Sequence, residues 1–241
     1  MSVPFAAPLD LICLAPLRVE ALVVASGLRS GLRSGPLPGA LSVVQRGTAR
    51  VVRTGAGGGG AGARSRGGDR ARALLDGQPR GAAPVTVVTG VAGGLDAGLA
   101  AGQLVVADGL VGVDGAALDL DRSIAAGLAD ALRDAGLTVR VAPIATSATL
   151  VRGGDARAAL AATTGALAVD LESSVLAAFA WPGPFAVLRA VVDRPEAELL
   201  SPATITGGIA ALRSLRRAAP AIAAWARTRH PRPLSTIPGP R

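Results

Sequence analysis

Short apolar runs rich in Val and Ile alternate along the chain with stretches whose apolar positions recur every three to four residues. This alternation predicts an α/β layered domain. Residues 9–15 read as a buried strand and 18–32 as a helix. A strand pair over 41–45 and 49–53 follows, around the turn Arg46-Gly47-Thr48. A glycine-rich loop over 54–62 leads to a helix over 64–75. Residues 85–89 form a strand ending in a second glycine loop, Gly90-Val91-Ala92-Gly93-Gly94, and 103–107 form the next strand, with a turn around 112–115. Asp121 is placed to cap a helix over 121–135, on which Ile124, Leu128, Ala131 and Leu132 share one face. Strands over 138–144, 167–169 and 185–192 and helices over 155–163, 171–179 and 204–226 complete the pattern. The chain divides into one domain, 1–228, and a Pro/Gly-rich tail or linker, 229–241.

Composition narrows the chemistry. At 241 residues, half of them hydrophobic and only 2% aromatic, the core must be aliphatic. All 25 basic residues are arginine, and with 32 Gly this looks like a GC-rich codon bias acting on the whole chain. The net charge of +8 is spread along the chain without interleaved aromatics for base stacking, so no nucleic-acid partner is expected. Cys13, alone in an apolar strand, reads as a buried structural thiol. The single His, His230, falls in the tail, which excludes Cys/His and Ser/His/Asp catalysis, and no metal-ligand cluster is evident. The longest uncharged apolar stretch is too short to span a bilayer, and the amino terminus lacks the features of a signal peptide, so the protein is expected in the cytoplasm.

What remains is a set of acids at strand ends, where open α/β sheets bind ligands. Ala168-Val169-Asp170-Leu171-Glu172 places Glu172 at a strand-to-helix junction, and Leu188-Arg189-Ala190-Val191-Val192-Asp193 places Asp193 at the end of the next apolar strand. Glu20 follows the first apolar run. Each has a bland reading: Glu20 and Glu172 can be first-turn acids that complement a helix dipole, and Asp170 and Asp193 can be caps. Gly55-Ala56-Gly57-Gly58-Gly59-Gly60 matches the dinucleotide fingerprint G-x-G-x-x-G. The acid expected after the following strand is missing, and an anion- or sugar-binding loop or a flexible turn explains it as well. The second glycine loop is either a tight turn or a backbone surface for a flat ligand.

Taken together, the segments resemble the nucleoside phosphorylase and nucleosidase superfamily, which includes methylthioadenosine/S-adenosylhomocysteine nucleosidases. Thr54-Gly55-Ala56-Gly57, Thr89-Gly90-Val91-Ala92-Gly93-Gly94-Leu95, Gly102-Gln103-Leu104-Val105-Val106-Ala107, Val169-Asp170-Leu171-Glu172-Ser173 and Leu188–Asp193 carry the resemblance, in family order, over about residues 9 to 226. Within it the chain looks most like hopanoid-associated phosphorylases. The resemblance implies a three-layer α/β/α sandwich around a central mixed sheet, of the phosphorylase/hydrolase type, assembled as a homo-oligomer, a dimer or larger. It assigns Glu172, with Leu171 beside it, to the ribose hydroxyls, Asp193 to protonation of the departing purine, and Glu20 to activation of water. Val91, Ala92, Gly93 and Val192 line the base and substrate pocket, and Thr54, Gly55 and Gly57 form the anion loop. No cofactor or metal is implied; phosphate is a co-substrate if the enzyme is a phosphorylase.

The chemistry agrees with those roles. Breaking a glycosidic C–N bond builds positive charge on the sugar and negative charge on the base. A carboxyl acid beside the leaving nitrogen offsets the second, and a carboxylate beneath the sugar offsets the first. The expected activity is therefore hydrolysis of a purine nucleoside, adenine-containing by resemblance. Phosphorolysis, with Arg53 near the anion loop, and a non-catalytic nucleoside-binding homologue are the alternatives. The chain departs from the family pattern at Val91 and Val192, where Ser is common, at Leu171, where Met is common, and over 145–150, where the purine-stacking aromatic is absent. Val91, Leu171 and Val192 make an unusually apolar pocket, suited to a lipid-like 5′ substituent.

Overall fold

In the computed structural model the described residues are 9–28, 32–36, 42–46, 48–54, 83–179, 181–193 and 202–229. They form twelve strands in one mixed sheet and five helices. The first strand, β1 (Leu11–Ala15), is the hub. Its odd positions, Leu11, Cys13 and Ala15, face one apolar cluster, and Ile12 and Leu14 face another, the period-two alternation of a strand buried on both sides. The first cluster is covered by α1 (Arg18–Gly27), α2 (Arg122–Asp134) and α5 (Pro202–Arg229). On the other side lie α3 (Gly154–Thr164) and the short α4 (Ser173–Ala177). Helices on both faces of a mixed, curled sheet make the expected α/β layered architecture.

The remaining strands are β2 (Leu32–Pro36), β3 (Ser42–Arg46), β4 (Ala49–Arg53), β5 (Val85–Gly94), β6 (Leu104–Val106) and β7 (Gly109–Val111). After them come β8 (Ala117–Asp119), β9 (Val139–Val141), β10 (Ile144–Thr146), β11 (Ala168–Asp170) and β12 (Phe185–Val191). The sheet runs β2-β3-β4-β1-β5-β11-β10-β7-β8, with β12 paired to β5 and β6 and β9 paired to β6.

The ten-residue β5 builds the site. Its first half lies between β1 and β12, both parallel to it. β1 ends at Ala15, so the second half of β5 loses that neighbour and pairs instead with β11, which runs antiparallel and sets Ala168 against Gly94 and Val169 against Gly93. The ends of β1, β11 and β12 are thereby brought to the second half of β5.

Several expectations are corrected. The helix expected over 18–32 ends at Gly27, and Leu32 begins β2. Gly27 packs so closely on α5 that a Cβ would lie 2.2 Å from the Arg216 carbonyl oxygen. The second glycine loop is strand, the continuation of β5. The strand over 138–144 is two: β9 pairs with β6, and β10 pairs with β7 and β11, with Pro143, which has no N–H to donate, at the break. β7 and β8 form a hairpin about the expected turn, closed by Gly112 N–H to Ala116 O at 2.8 Å. The helix over 171–179 is confined to α4. Asp121 caps α2 as expected, accepting from the backbone N–H of Ser123 (2.8 Å) and Ile124 (3.4 Å). Cys13 is buried, and burial pushes its thiol up to about 12, which keeps it protonated and inert. The helix expected over 64–75, the glycine run 55–62 and the tail from 230 lie outside the described residues.

Candidate active site

A cavity of about 210 Å³ opens where the strand ends meet. Glu20, Val91, Ala92, Gly93, Leu171, Glu172, Val192 and Asp193 all line it, so eight of the residues singled out in the sequence, from four separate segments, share one pocket. Pro16, Leu17, Leu150, Arg157, Val169 and Asp170 complete the wall. Thr54 does not line it; it lies buried just after β4, with Arg53 half-buried beside it. Gly55 and Gly57 lie outside the described residues. A larger cleft of about 650 Å³ beside α5 is lined by Arg213, Arg216 and Arg217 and has no carboxylate.

Glu20 satisfies its bland reading and also lines the pocket. It is in the first turn of α1, and its Oε2 accepts from the Leu17 N–H at 2.8 Å, the backward reach of a capping-box acid. Its Oε1 accepts from the Val91 N–H on β5 at 2.8 Å. Only 1% exposed, the carboxyl is pushed above the ordinary glutamate range by burial, and Arg189 with the two backbone N–H groups pulls it back part of the way.

Arg189, a charged residue inside an otherwise apolar strand, organises the acids Asp170, Glu172 and Glu20. Its Nε donates to Asp170 Oδ2 at 2.7 Å, its Nη2 donates to Ser173 Oγ at 3.0 Å, and Nη2 lies 3.8 Å from Glu172 Oε2. Burial works against its charge. Asp170, Glu172 and Glu20 outweigh that and hold its pKa above the ordinary arginine value. Nη1 is buried without a hydrogen bond, in the space between Gly90 and Glu20: a Cβ on Gly90 would lie 2.1 Å from Nη1 and 3.0 Å from Glu20 Oε1. Asp170 proves to be the cap of α4, accepting from the N–H groups of Glu172 (3.2 Å) and Ser173 (3.1 Å), and also from Thr146 Oγ1 at 3.0 Å and the Ser173 hydroxyl. Glu172, the residue at the N-cap position of α4, lines the pocket wall.

Asp193 lies two residues past the end of β12 and lines the same pocket. Its carbonyl accepts from the Gly94 N–H at 3.0 Å, and its carboxyl oxygens each accept from Arg157. The sequence reading gave no part to Arg157 or Arg189. Arg189 carried a signal, its place in the apolar run 185–192. Arg157, one helical arginine among many, carried none. Among the described residues no group of acids, Cys and His is arranged to hold a metal ion, and no helix is long and apolar enough to cross a membrane.

No protein-family model matches the sequence, and no curated protein matches it. Solved structures do match in fold. Futalosine hydrolase of Helicobacter pylori superposes with a TM-score of 0.70 at 18% identity, over 90% of this chain and 97% of that one. The S-adenosylhomocysteine nucleosidase from Streptococcus pyogenes, in complex with 5-methylthiotubericidin, gives 0.71 at 20% identity, over 93% and 99%. The 5′-methylthioadenosine/S-adenosyl homocysteine nucleosidase of Campylobacter jejuni gives 0.69 at 16%, over 90% and 99%. The fold is thus that of the nucleosidases, as the motifs implied.

Proposed function

We propose that the protein is a nucleosidase that hydrolyses the N-glycosidic bond of a purine nucleoside, adenine-containing by the motif resemblance, and releases the free base. The observation that carries this reading is the meeting of Glu20, Glu172 and Asp193 in the lining of one pocket. Glu20 takes a proton from the attacking water. The Arg189 guanidinium, buried behind Glu20 beside Gly90, holds that side of the pocket positive. Glu172 accepts from the ribose hydroxyls and favours the positive charge that builds on the sugar. Asp193 gives a proton to the departing base. Nucleosidase neighbours in fold support the reading.

One observation favours phosphorolysis instead: the buried Oγ1 of Thr54 and the Nε of Arg53, at the end of β4, have no hydrogen-bond partner. The deciding assay follows base release from 5′-methylthioadenosine and from 5′-alkylthio adenosines of increasing chain length, with and without phosphate. Phosphate-independent release supports the hydrolase, phosphate-dependent release the phosphorylase. Binding without release identifies a non-catalytic homologue. The Asp193→Asn variant is expected to fold and to lose turnover, and retained activity removes Asp193 from its role.

A further inference from the structure

Arg157 stands on α3 and enters the pocket from the layer opposite α1. Its side chain is 2% exposed. Nη1 donates to Asp193 Oδ1 at 3.0 Å and Nη2 to Oδ2 at 2.9 Å, a fork-on-fork pair. The guanidinium is anchored independently of that carboxyl, because Nε donates to the Val151 carbonyl at 3.2 Å and Nη1 to the Gly94 carbonyl at 3.4 Å. Gly93 gives the pair room against β5: a Cβ there would lie 3.4 Å from both Arg157 Nη2 and Asp193 Oδ1. A cation clamped to two backbone carbonyls and closed onto both oxygens of one carboxyl is more than a charge partner. It fixes that carboxyl in one plane.

We propose that Arg157 is a positioning residue that makes Asp193 an effective leaving-group acid, holding its carboxyl at the base and stabilising the carboxylate it becomes. The inference rests on the N-glycosidic cleavage proposed above. Asp193 takes up a proton from solvent before the step; the C–N electron pair then moves onto the base, which takes that proton and leaves Asp193 a carboxylate. The oxygen of water bonds to the anomeric carbon, and its proton passes to Glu20. Charge-assisted hydrogen bonds are roughly twice as strong as neutral ones, so the two Arg157 bonds strengthen as Asp193 loses its proton. An interaction stronger in the transition state than in the ground state raises kcat. The planar fork engages both oxygens at once, which a lysine ammonium does not reproduce.

The test compares wild type with Arg157→Met, Arg157→Lys, Asp193→Asn and the Asp193→Asn/Arg157→Met double variant on two substrates. 5′-Methylthioadenosine has a leaving base that departs poorly unless protonated; p-nitrophenyl β-D-ribofuranoside has one that departs unaided. Arg157→Met is expected to lower kcat on the adenine nucleoside roughly 10²-fold, with KM changed by less than about 3-fold. Its turnover of the p-nitrophenyl riboside stays within about 3-fold of wild type, and Arg157→Lys falls between. In the Asp193→Asn background, removing Arg157 has no further effect. Equal losses on both substrates, or a further loss in the Asp193→Asn background, overturn the proposal. Arg157→Met strands the Asp193 carboxyl and Asp193→Asn strands the Arg157 guanidinium. If either does not fold, Arg157→Lys, which keeps a cation beside Asp193, decides alone: equal effects on the two substrates overturn the proposal. A wild-type protein that cleaves neither substrate overturns the reaction, and with it this role; active wild type with additive variants overturns the role alone.

Discussion

Replacing Glu20 by Gln tests the base and its environment in one variant. The side chain keeps its length, loses its charge and retains one carbonyl oxygen. In wild type the two oxygens take the N–H groups of Leu17 and Val91, both at 2.8 Å. The glutamine carbonyl can accept from one of them and its amide must face the other, which leaves an unmet buried donor at about 1–3 kcal/mol. Loss of general-base assistance removes roughly 10²–10⁴-fold from kcat, or about 3–5 kcal/mol of transition-state stabilisation, with KM little changed. The pH dependence has a definite sign. Burial raises the Glu20 pKa in the folded protein above its ordinary value of 4.5. The base acts only when ionised, so wild-type kcat falls on the acid side at a pH above the ordinary glutamate range. The variant lacks that limb. Stability runs the other way: the contribution of a group with a raised folded pKa is full below its unfolded pKa and is lost as pH rises through the folded one. The advantage of wild type over Glu20→Gln therefore shrinks upward from about pH 4.5. Base release and urea unfolding, each measured from about pH 4 to 8, check both signs around the ordinary glutamate value. An acid limb that persists in the variant, or a wild-type advantage that grows with pH, refutes the reasoning.

Arg189→Met leaves Asp170, Glu172 and Glu20 without their shared cation at a fully buried position, and it should destabilise the fold by about 3–5 kcal/mol at neutral pH. Urea titrations at pH 7 and pH 5 should show the deficit ease as Glu20, whose pKa burial raises, takes up a proton, and an unchanged midpoint would remove Arg189 as the organising charge. Gly90→Ala puts a Cβ 2.1 Å from Arg189 Nη1 and 3.0 Å from Glu20 Oε1. Overpacking of this kind costs about 1–3 kcal/mol and displaces both groups, so kcat should fall far more than circular dichroism changes; full activity would contradict the geometry. The apolar wall formed by Val91, Leu171 and Val192 with Leu150 predicts that kcat/KM rises with the length of a 5′-alkylthio chain, by up to ~0.8 kcal/mol per buried methylene. Equal turnover of short and long chains would exclude a lipid-like substituent.

The acids were legible because each ends an apolar run, and carboxylates at strand ends have few reasons to be there. Glu20 and Asp170 also show why single residues mislead. Glu20 is a first-turn acid and Asp170 accepts from the N–H groups at the start of a helix, as their bland readings held, and both belong to the pocket or its cation cluster. The glycines of β5 hid a strand. Gly90 and Gly93 look like a loop in the sequence because they lack side chains, yet that lack gives Arg189, Arg157 and Asp193 room against an extended backbone. Gly94 is held to the same end, since a Cβ there would lie 2.7 Å from the Asp193 carbonyl oxygen. Pro143 was a readable stop for one strand, but what it does, moving the chain from β6 to β11, depends on partners distant in sequence. Arg157 was invisible for the same reason: its meaning lies in a carboxyl 36 residues away.

Two of the buried arginines, Arg189 and Arg157, divide the acids of the pocket in a way that fits the proposed reaction. On the side proposed for the sugar one guanidinium, Arg189, faces three carboxyls, Glu20, Asp170 and Glu172. On the side proposed for the base Arg157 pairs with Asp193. An excess of negative charge where an oxocarbenium-like sugar develops is stabilising, and a matched pair where the base leaves lets a proton depart without stranding an unpaired anion. A merely structural charge network would gain nothing from this asymmetry, because each surplus buried carboxyl is unfavourable in the resting protein. Burial raises the pKa of Glu20, so the resting fold bears part of that penalty at the residue proposed to take a proton from water. The strain is then relieved when Glu20 receives that proton, as the bond to the base breaks.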